Sequence, residues 1–313
     1  MLYLSTRNTT DCYTAYRALN ETQAPDGGFF VPFRLHKFSD NELLALRSKT
    51  PCDAIAQILN LFFGVQLSGW DVECVVGRCP VKPETVNQRL LFAEFWRNPD
   101  GSLKYLINNL YRRMTAKEYA PGKTKGWAYI AIEIALLFAL YATAETIPVQ
   151  GLDVAVETAD FADISAVEYA KQMGMPINMI VCATNENSAV WDLFVKGDFN
   201  ISAAAELPQY FECFLFARLG KDAVLRYLQA CEQKRIYRVD EQELESLGDN
   251  IFCSVVSENR VGSIISGMHR ANGYVIDPST AVAYGGLQDY RANGGLNRDT
   301  LLLAKQRPVL EKE

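Results

Sequence analysis

Several patterns that commonly identify a function are missing from this chain of 313 residues. It has two histidines and eight cysteines without a Cys-x-x-Cys pair, so no metal site is indicated. Lysine and arginine form no basic run, and 31 basic against 37 acidic residues give a net charge of -6, which disfavours nucleic acid as a partner. The opening residues MLYLSTRNTTDCY lack a charged leader followed by an apolar core. We therefore expect a cytoplasmic protein with reduced thiols.

Long hydrophobic runs are equally scarce, with one exception from Trp127 to Thr143. This segment approaches the roughly 18 apolar residues that would indicate a membrane span. Glu133 interrupts it, and a carboxylate in the middle of a bilayer is costly. The segment is predicted to be a buried helix in a large core, and no membrane is expected as a partner.

The first 85 residues have the pattern of a separate, mostly helical domain. LYLSTR predicts a short strand, and residues 11–21 predict a helix. A turn at residues 25–28 precedes the extended segment FFVP. Ser39 and Glu42 have the spacing of a capping box, which predicts a helix start, and Cys52 to Gly64 predicts a second helix that ends at the glycine.

Alternation of strand and helix is clearest around residues 152–184. LDVAVET and INMIVCAT predict buried parallel strands on either side of the helix ISAVEYAKQMG. The turn between the first strand and the helix is ADFAD, at residues 159–163, and it contains no glycine. Backbone amides at such a helix start bind phosphate well when small residues allow close approach, whereas the carboxylate of Asp160 repels an anion. From the residues alone, Asp160 and Asp163 are predicted to cap the helix and to interact favourably with its dipole.

Ordered blocks along the chain resemble threonine synthase, an enzyme that uses pyridoxal phosphate to convert O-phosphohomoserine into threonine. They are YLSTR at residues 3–7, APDGGFFVP at 24–32, EFWRNPDGSLK at 94–104, the unit from 152 to 184, and GYVIDPSTAVAY at 273–284. The resemblance implies an α/β protein of fold type II, like the tryptophan synthase β chain. Residues 1–85 would form the family's N-terminal domain and residues 86–313 the remnant of its large domain. The small cofactor domain has no counterpart between residues 115 and 125, and we expect it to be missing.

The resemblance also assigns candidate site residues. Lys104 matches the lysine that forms the Schiff base with the cofactor, although a solvated lysine at a helix start is an alternative interpretation. The turn Ala159-Asp160-Phe161-Ala162 matches Gly-Asn-Phe-Gly, which meets the cofactor phosphate in the family. Lys305 stands where a hydroxyl partner of the pyridine nitrogen is expected, or is an exposed lysine at a strand end. We expect Ala159 and Ala162 to adopt ordinary, unstrained backbone conformations.

These degenerate positions predict a threonine-synthase-like protein that is catalytically inactive and repurposed to bind a small-molecule ligand or a protein. No cofactor is then expected. The alternative is a surviving pyridoxal-phosphate-dependent lyase that acts on O-phosphohomoserine or a related amino acid. Removal of the small domain would expose apolar surface on the helix after Lys104, so a homodimer or a protein partner is predicted to cover residues 95–115.

Overall fold

The computed structural model describes residues 1–77, 81, 83–87, 89–115, 126–143, 151–185, 188–202 and 207–309. In this part of the chain the strands are β1 (Leu2–Ser5), β2 (Tyr13–Thr14), β3 (Phe30–Pro32), β4 (Pro83–Asn87), β5 (Leu90–Glu94), β6 (Leu152–Glu157), β7 (Ile177–Thr184), β8 (Asp198–Asn200), β9 (Ile236–Arg238), β10 (Ile251–Val255) and β11 (Thr300–Ala304).

The helices of the same ranges alternate with these strands in the second half of the chain. They are α1 (Ala15–Asn20), α2 (Asp40–Leu46), α3 (Pro51–Phe63), α4 (Gly69–Val76), α5 (Leu103–Thr115), α6 (Trp127–Ala142), α7 (Ala162–Gln172), α8 (Ser188–Lys196), α9 (Phe211–Leu219), α10 (Lys221–Glu232), α11 (Glu241–Gly248), α12 (Glu258–Asn272) and α13 (Pro278–Ala292).

A six-stranded sheet with the order β10-β7-β6-β11-β5-β4 forms the centre of the molecule. Its first five strands are parallel, and β4 is antiparallel to β5 at the edge. In β6 and β7, Val154 pairs with Ile180 and Val156 with Cys182, and these side chains are buried. The predicted pair of buried parallel strands is confirmed. Because helices cover both faces of such a sheet, its strands are almost continuously apolar.

Two apolar cores lie on the opposite faces of this sheet. The larger core contains α3, α6 and α7, and it joins Tyr3 near the start of the chain to Leu303 near the end. The smaller core lies under α12 and α13, around Phe92, Val181 and Leu302. The protein is therefore a three-layer α/β structure, as the sequence predicts.

Helix α6 is the central helix of the larger core. All but one of its 16 residues are buried, and it packs against α3, α5 and α7. Trp127 makes edge contacts with the rings of Phe62 and Tyr169 at 5.6 and 4.9 Å. The prediction of a buried core helix is confirmed. Among the described helices, none is both long and apolar enough to cross a membrane.

The N-terminal segment forms a small antiparallel sheet, β2-β1-β3, which packs against α1, and Tyr3 of β1 stacks on Phe63 of α3. The capping box of Ser39 and Glu42 is present at the start of α2, and Gly64 ends α3 in the left-handed conformation, so both predictions are confirmed. The helix predicted at residues 11–21 is wrong in its first half. Tyr13 and Thr14 pair with β1, and the Thr14 hydroxyl caps a helix that begins at Ala15.

The predicted domain boundary near residue 85 lies within β4, whose residues 83–87 pair with β5 in the central sheet. The division into residues 1–85 and 86–313 stays a prediction. The connection from α5 to α6 consists of residues 116–126, whereas a second α/β domain would need on the order of 100 residues. Residues 116–125, where the small domain is expected to be missing, lie outside the described residues.

Candidate functional site

The candidate residues converge on one edge of the central sheet. Strands β5, β6 and β11 are parallel neighbours, and they end at Glu94, Glu157 and Ala304. Their carboxyl ends therefore meet at the same edge, where parallel sheets commonly carry their binding sites. The residues that follow these strands include the turn at 159–163, Lys104 and Lys305.

In the glycine-free turn, the carboxylate of Asp160 lies at the start of α7 and binds a backbone amide there. Ala159 and Asp160 are exposed, and the Asp160 carboxylate accepts a hydrogen bond from the Ala162 amide at 3.0 Å. That amide lies in the first turn of the helix, where an anionic ligand would bind. Asp160 thus satisfies one amide at the helix start, although the N-cap residue is Phe161, and Asp163, which was also predicted to cap the helix, instead pairs with Lys305. An incoming phosphate would have to displace the Asp160 carboxylate and meet its repulsion.

The backbone of the turn is unstrained at the two alanines, as expected, but it is strained at Phe161 between them. Ala159 and Ala162 are outside the left-handed region, which confirms that they are unstrained. Phe161 has a φ of 66°, an unfavourable conformation for a bulky residue. Its ring is buried against Phe211 and Phe214, with ring centroids 4.7 and 5.5 Å away. This aromatic packing holds the turn in place.

Lys305 is a member of a partly buried ion network, so its interpretation as an exposed lysine is wrong. Its ammonium group is 2.5 Å from Asp163 Oδ2 and 3.3 Å from Glu157 Oε2. The exposed fractions of the three side chains are 21% for Lys305, 6% for Asp163 and 19% for Glu157. Burial alone lowers the pKa of Lys305, but attraction by the two carboxylates outweighs it and raises the pKa of the ammonium group.

Glu133 adds a fourth ionisable group beneath this network. It projects from α6, is 4% exposed, and lies close enough to Asp163 to share a hydrogen bond with it when protonated. Burial raises its pKa well above the ordinary value, and repulsion from Asp163 raises it further, although Lys305 opposes both effects. Burial and the neighbouring Asp163 thus both favour the neutral form of Glu133 over a buried charge.

Ser279 and Asp277 complete the polar edge from the start of α13. The Ser279 hydroxyl donates to Glu157 Oε2 at 2.9 Å. Asp277 accepts from the amides of Ser279 and Thr280, so its carboxylate caps α13. Ser279 thus helps to fix Glu157 beside Lys305.

Lys104 lies near the same edge but outside the network. The amide of Leu103 donates to the carbonyl of Lys305 at 2.8 Å, which brings the start of α5 next to the end of β11. Lys104 is the second residue of α5 and is exposed. A Schiff-base lysine needs a neutral, desolvated amine, so the exposed position agrees better with a solvated lysine at a helix start. Its proposed catalytic role stays a prediction.

These residues do not fit a pyridoxal phosphate group. The helix start that would receive its phosphate carries Asp160, and Lys305 is already paired with Asp163 and Glu157. The turn that the resemblance assigns to the cofactor phosphate thus carries the Asp160 carboxylate, and the nearby cation Lys305 is already paired with two carboxylates. Sequence reasoning missed the network because its members come from separate elements. The available signal was Glu133, a single acid in an otherwise apolar helix.

Helix α5 differs from the apolar surface that we expected at residues 95–115. Its large apolar side chains are mostly buried within the chain, among them Leu103, Leu106, Leu110 and Tyr111. Trp96 and Tyr105 are half-buried. The argument that deletion of a domain leaves this helix uncovered is wrong for these four residues, because α4 and α6 already cover them. Association through this region stays a prediction.

Comparison with known proteins gives consistent matches along the chain. Residues 2–79 match the family model described as threonine synthase N terminus. Human threonine synthase-like 1 is 28% identical over 146 residues, which are 42% of this chain and 20% of that protein. Threonine synthase of Eremothecium gossypii is 32% identical over 181 residues, which are 50% of this chain and 35% of the enzyme. The matched part of the chain thus spans about a fifth to a third of these curated relatives.

Solved structures share the fold over almost the whole chain. Threonine synthase from Brucella melitensis, solved with pyridoxal phosphate bound, has a TM-score of 0.84 at 18% identity, covering 98% of this chain and 89% of that one. Yeast threonine synthase has a TM-score of 0.82 at 15% identity, covering 97% of this chain and 87% of that one. The predicted fold-type-II architecture is confirmed.

Proposed function

We propose that the chain is a catalytically inactive member of the threonine synthase family that has been repurposed to bind a ligand or another protein, which its similarity to threonine synthases supports. The proposal concerns the loss of the cofactor site rather than the loss of the fold, since fold alone supplies no activity. No cofactor is expected in the proposed state.

One observation supports this proposal: charged groups of the chain pair with one another at residues that the resemblance assigns to the cofactor. The Asp160 carboxylate accepts a hydrogen bond from the Ala162 amide, and the Lys305 ammonium group is paired with Asp163 and Glu157. Each charge-assisted hydrogen bond lost to a phosphate removes about 1.5–3 kcal/mol of binding free energy. Micromolar binding corresponds to only about 8 kcal/mol in total, so two or three such losses abolish useful affinity.

An activity assay tests the proposal. The purified chain is incubated with pyridoxal phosphate and O-phosphohomoserine, and release of inorganic phosphate and formation of threonine are measured beside an active threonine synthase. We expect neither product above the rate without protein. Turnover that disappears in the Lys104→Ala variant would instead support the alternative, a pyridoxal-phosphate-dependent lyase.

Association is a second part of the proposal. A homodimer or a complex with another protein would use the exposed side of residues 95–115, where Lys104 and Arg112 lie, together with half-buried Trp96 and Tyr105. Sedimentation velocity over a wide concentration range measures self-association. A dimer that dissociates in the Trp96→Ala variant supports this surface, whereas a monomer at all concentrations contradicts the homodimer.

We also propose a cytoplasmic location, because the described cysteines are free thiols. Cys182 and Cys253 are neighbours on β7 and β10 with their sulfurs 3.9 Å apart, and they are unbonded. Labelling of thiols in freshly lysed cells tests this location, since a disulfide between the two would contradict a reducing compartment.

A further inference from the structure

A cavity lies beside the candidate site, and none of the predicted cofactor positions is among its lining residues. It has a volume of about 700 Å³ between the end of α4, the loop at residues 96–99 and the residues after β11. Its lining includes Trp96, Arg97, Asn98, Tyr105 and Arg307. A cavity of this volume is in the range that holds a small organic molecule.

The charge of this cavity is positive. Arg97 and Arg307 are the ionised side chains among its lining residues, which include no aspartate or glutamate. Arg97 is paired with the buried Glu94 and also lies over the ring of Trp96, 4.9 Å from its centroid. Because Glu94 offsets the charge of Arg97, the positive charge offered to a ligand comes chiefly from Arg307.

Arg307 is held in place before any ligand binds. Its guanidinium donates to the carbonyl of Asn98 at 3.2 Å, and its backbone amide donates to the carbonyl of Gly101 at 2.9 Å. Gly101 has a φ of +70°, and a side chain there would come 3.2 Å from Arg307 Cβ and 3.3 Å from Nε. Glycine therefore allows the arginine to pack directly on the loop.

Asn98 fixes the loop that carries this arginine. Its side-chain oxygen accepts from the amides of Asp100 and Gly101 at 3.1 and 2.9 Å. Its side-chain amide donates to the carbonyls of Phe95 and Ser102, both at 2.7 Å. A site whose donors are already fixed loses less conformational entropy on binding, which favours affinity for a small ligand.

We propose that this cavity binds a small organic anion with a flat ring, such as an aromatic phosphate or carboxylate. The Arg307 guanidinium bonds the anionic group in a bidentate manner, and Trp96 and Tyr105 provide aromatic surface for the ring. The proposal does not depend on loss of the cofactor site, because the cavity and the Lys305 network share no residue.

Titration calorimetry on the full chain tests the proposal with four probes: phenyl phosphate, benzoate, inorganic phosphate and benzylamine. We expect saturable binding of phenyl phosphate or benzoate, and the tighter of the two identifies the preferred anionic group. Inorganic phosphate should bind at least about tenfold more weakly because it lacks a ring, and benzylamine should not bind because it is a cation.

Variants locate the binding. Arg307→Gln should weaken binding of the ring-bearing anion about tenfold, and Trp96→Leu should reduce the preference for it over inorganic phosphate. Arg270→Gln removes the same charge from the exposed end of α12, away from the cavity, and should leave binding unchanged. Melting temperatures confirm that each variant is folded. Absence of saturation, equal binding of benzylamine, or unchanged binding in both Arg307→Gln and Trp96→Leu would overturn the proposal.

Discussion

Replacement of Lys305 by methionine should destabilise the protein far more than replacement of a surface lysine. Lys305→Met keeps a side chain of similar length but leaves Asp163 and Glu157 without their cation. Removal of one partner from a buried ion pair costs about 3–5 kcal/mol. Because the Lys305 side chain is 21% exposed, water can partly stabilise the remaining carboxylates, and we expect the lower end, about 3 kcal/mol.

Urea denaturation followed by circular dichroism measures this change in the free energy of unfolding. Lys196→Met is the matched control, because Lys196 pairs with Asp192 on the surface and its side chain is 57% exposed. That pair should contribute less than about 1 kcal/mol. Asp163→Asn should also destabilise, but the double variant should lose about 1–3 kcal/mol less than the sum of the single variants. Equal effects of Lys305→Met and Lys196→Met would refute the buried network.

Two further predictions concern the same edge of the sheet. Burial raises the pKa of Glu133, so between its ordinary value of 4.5 and its folded value the native state holds a proton that the unfolded state has lost, and stability falls as pH rises. Glu133→Gln should remove this dependence, so that its stability in thermal melts exceeds that of the parent increasingly as pH rises above 4.5, whereas a loss that grows with pH would show an ionised, paired Glu133. Ala159→Gly and Ala162→Gly combined with Asp160→Asn should give at most millimolar phosphate binding, about 4 kcal/mol, by calorimetry. Micromolar binding of phosphate would show that the changes in the turn alone account for the loss of phosphate binding.

Local patterns were sufficient to predict much of the fold. The capping box at Ser39, the glycine that ends α3 and the apolar strands β6 and β7 are all set by interactions within a few residues. Helix α6 could be predicted from its composition, since a helix that is apolar on all sides requires a core around it. The start of α1 could not, because pairing of Tyr13 with β1 is a contact between separate segments.

Only part of the candidate site could be predicted, because some of its contacts also join separate segments of the chain. Asp160 fills the helix start within its own turn, and the sequence indicates this directly. Lys305 was interpreted as exposed because a lone ammonium group is costly to bury. The compensating carboxylates of Asp163 and Glu157 come from another helix and another strand, and only the order of β6 and β11 in the sheet brings them together.

Spectroscopic titration with pyridoxal phosphate tests most directly whether the chain's own charges have replaced the cofactor. Increasing cofactor is added to the parent protein and to Lys104→Ala, and the visible absorption of lysine-bound cofactor is recorded. We predict no saturable band in either protein, apart from the slow, non-saturating reaction of surface lysines that both share. A saturable band in the parent that is absent in Lys104→Ala would contradict the account.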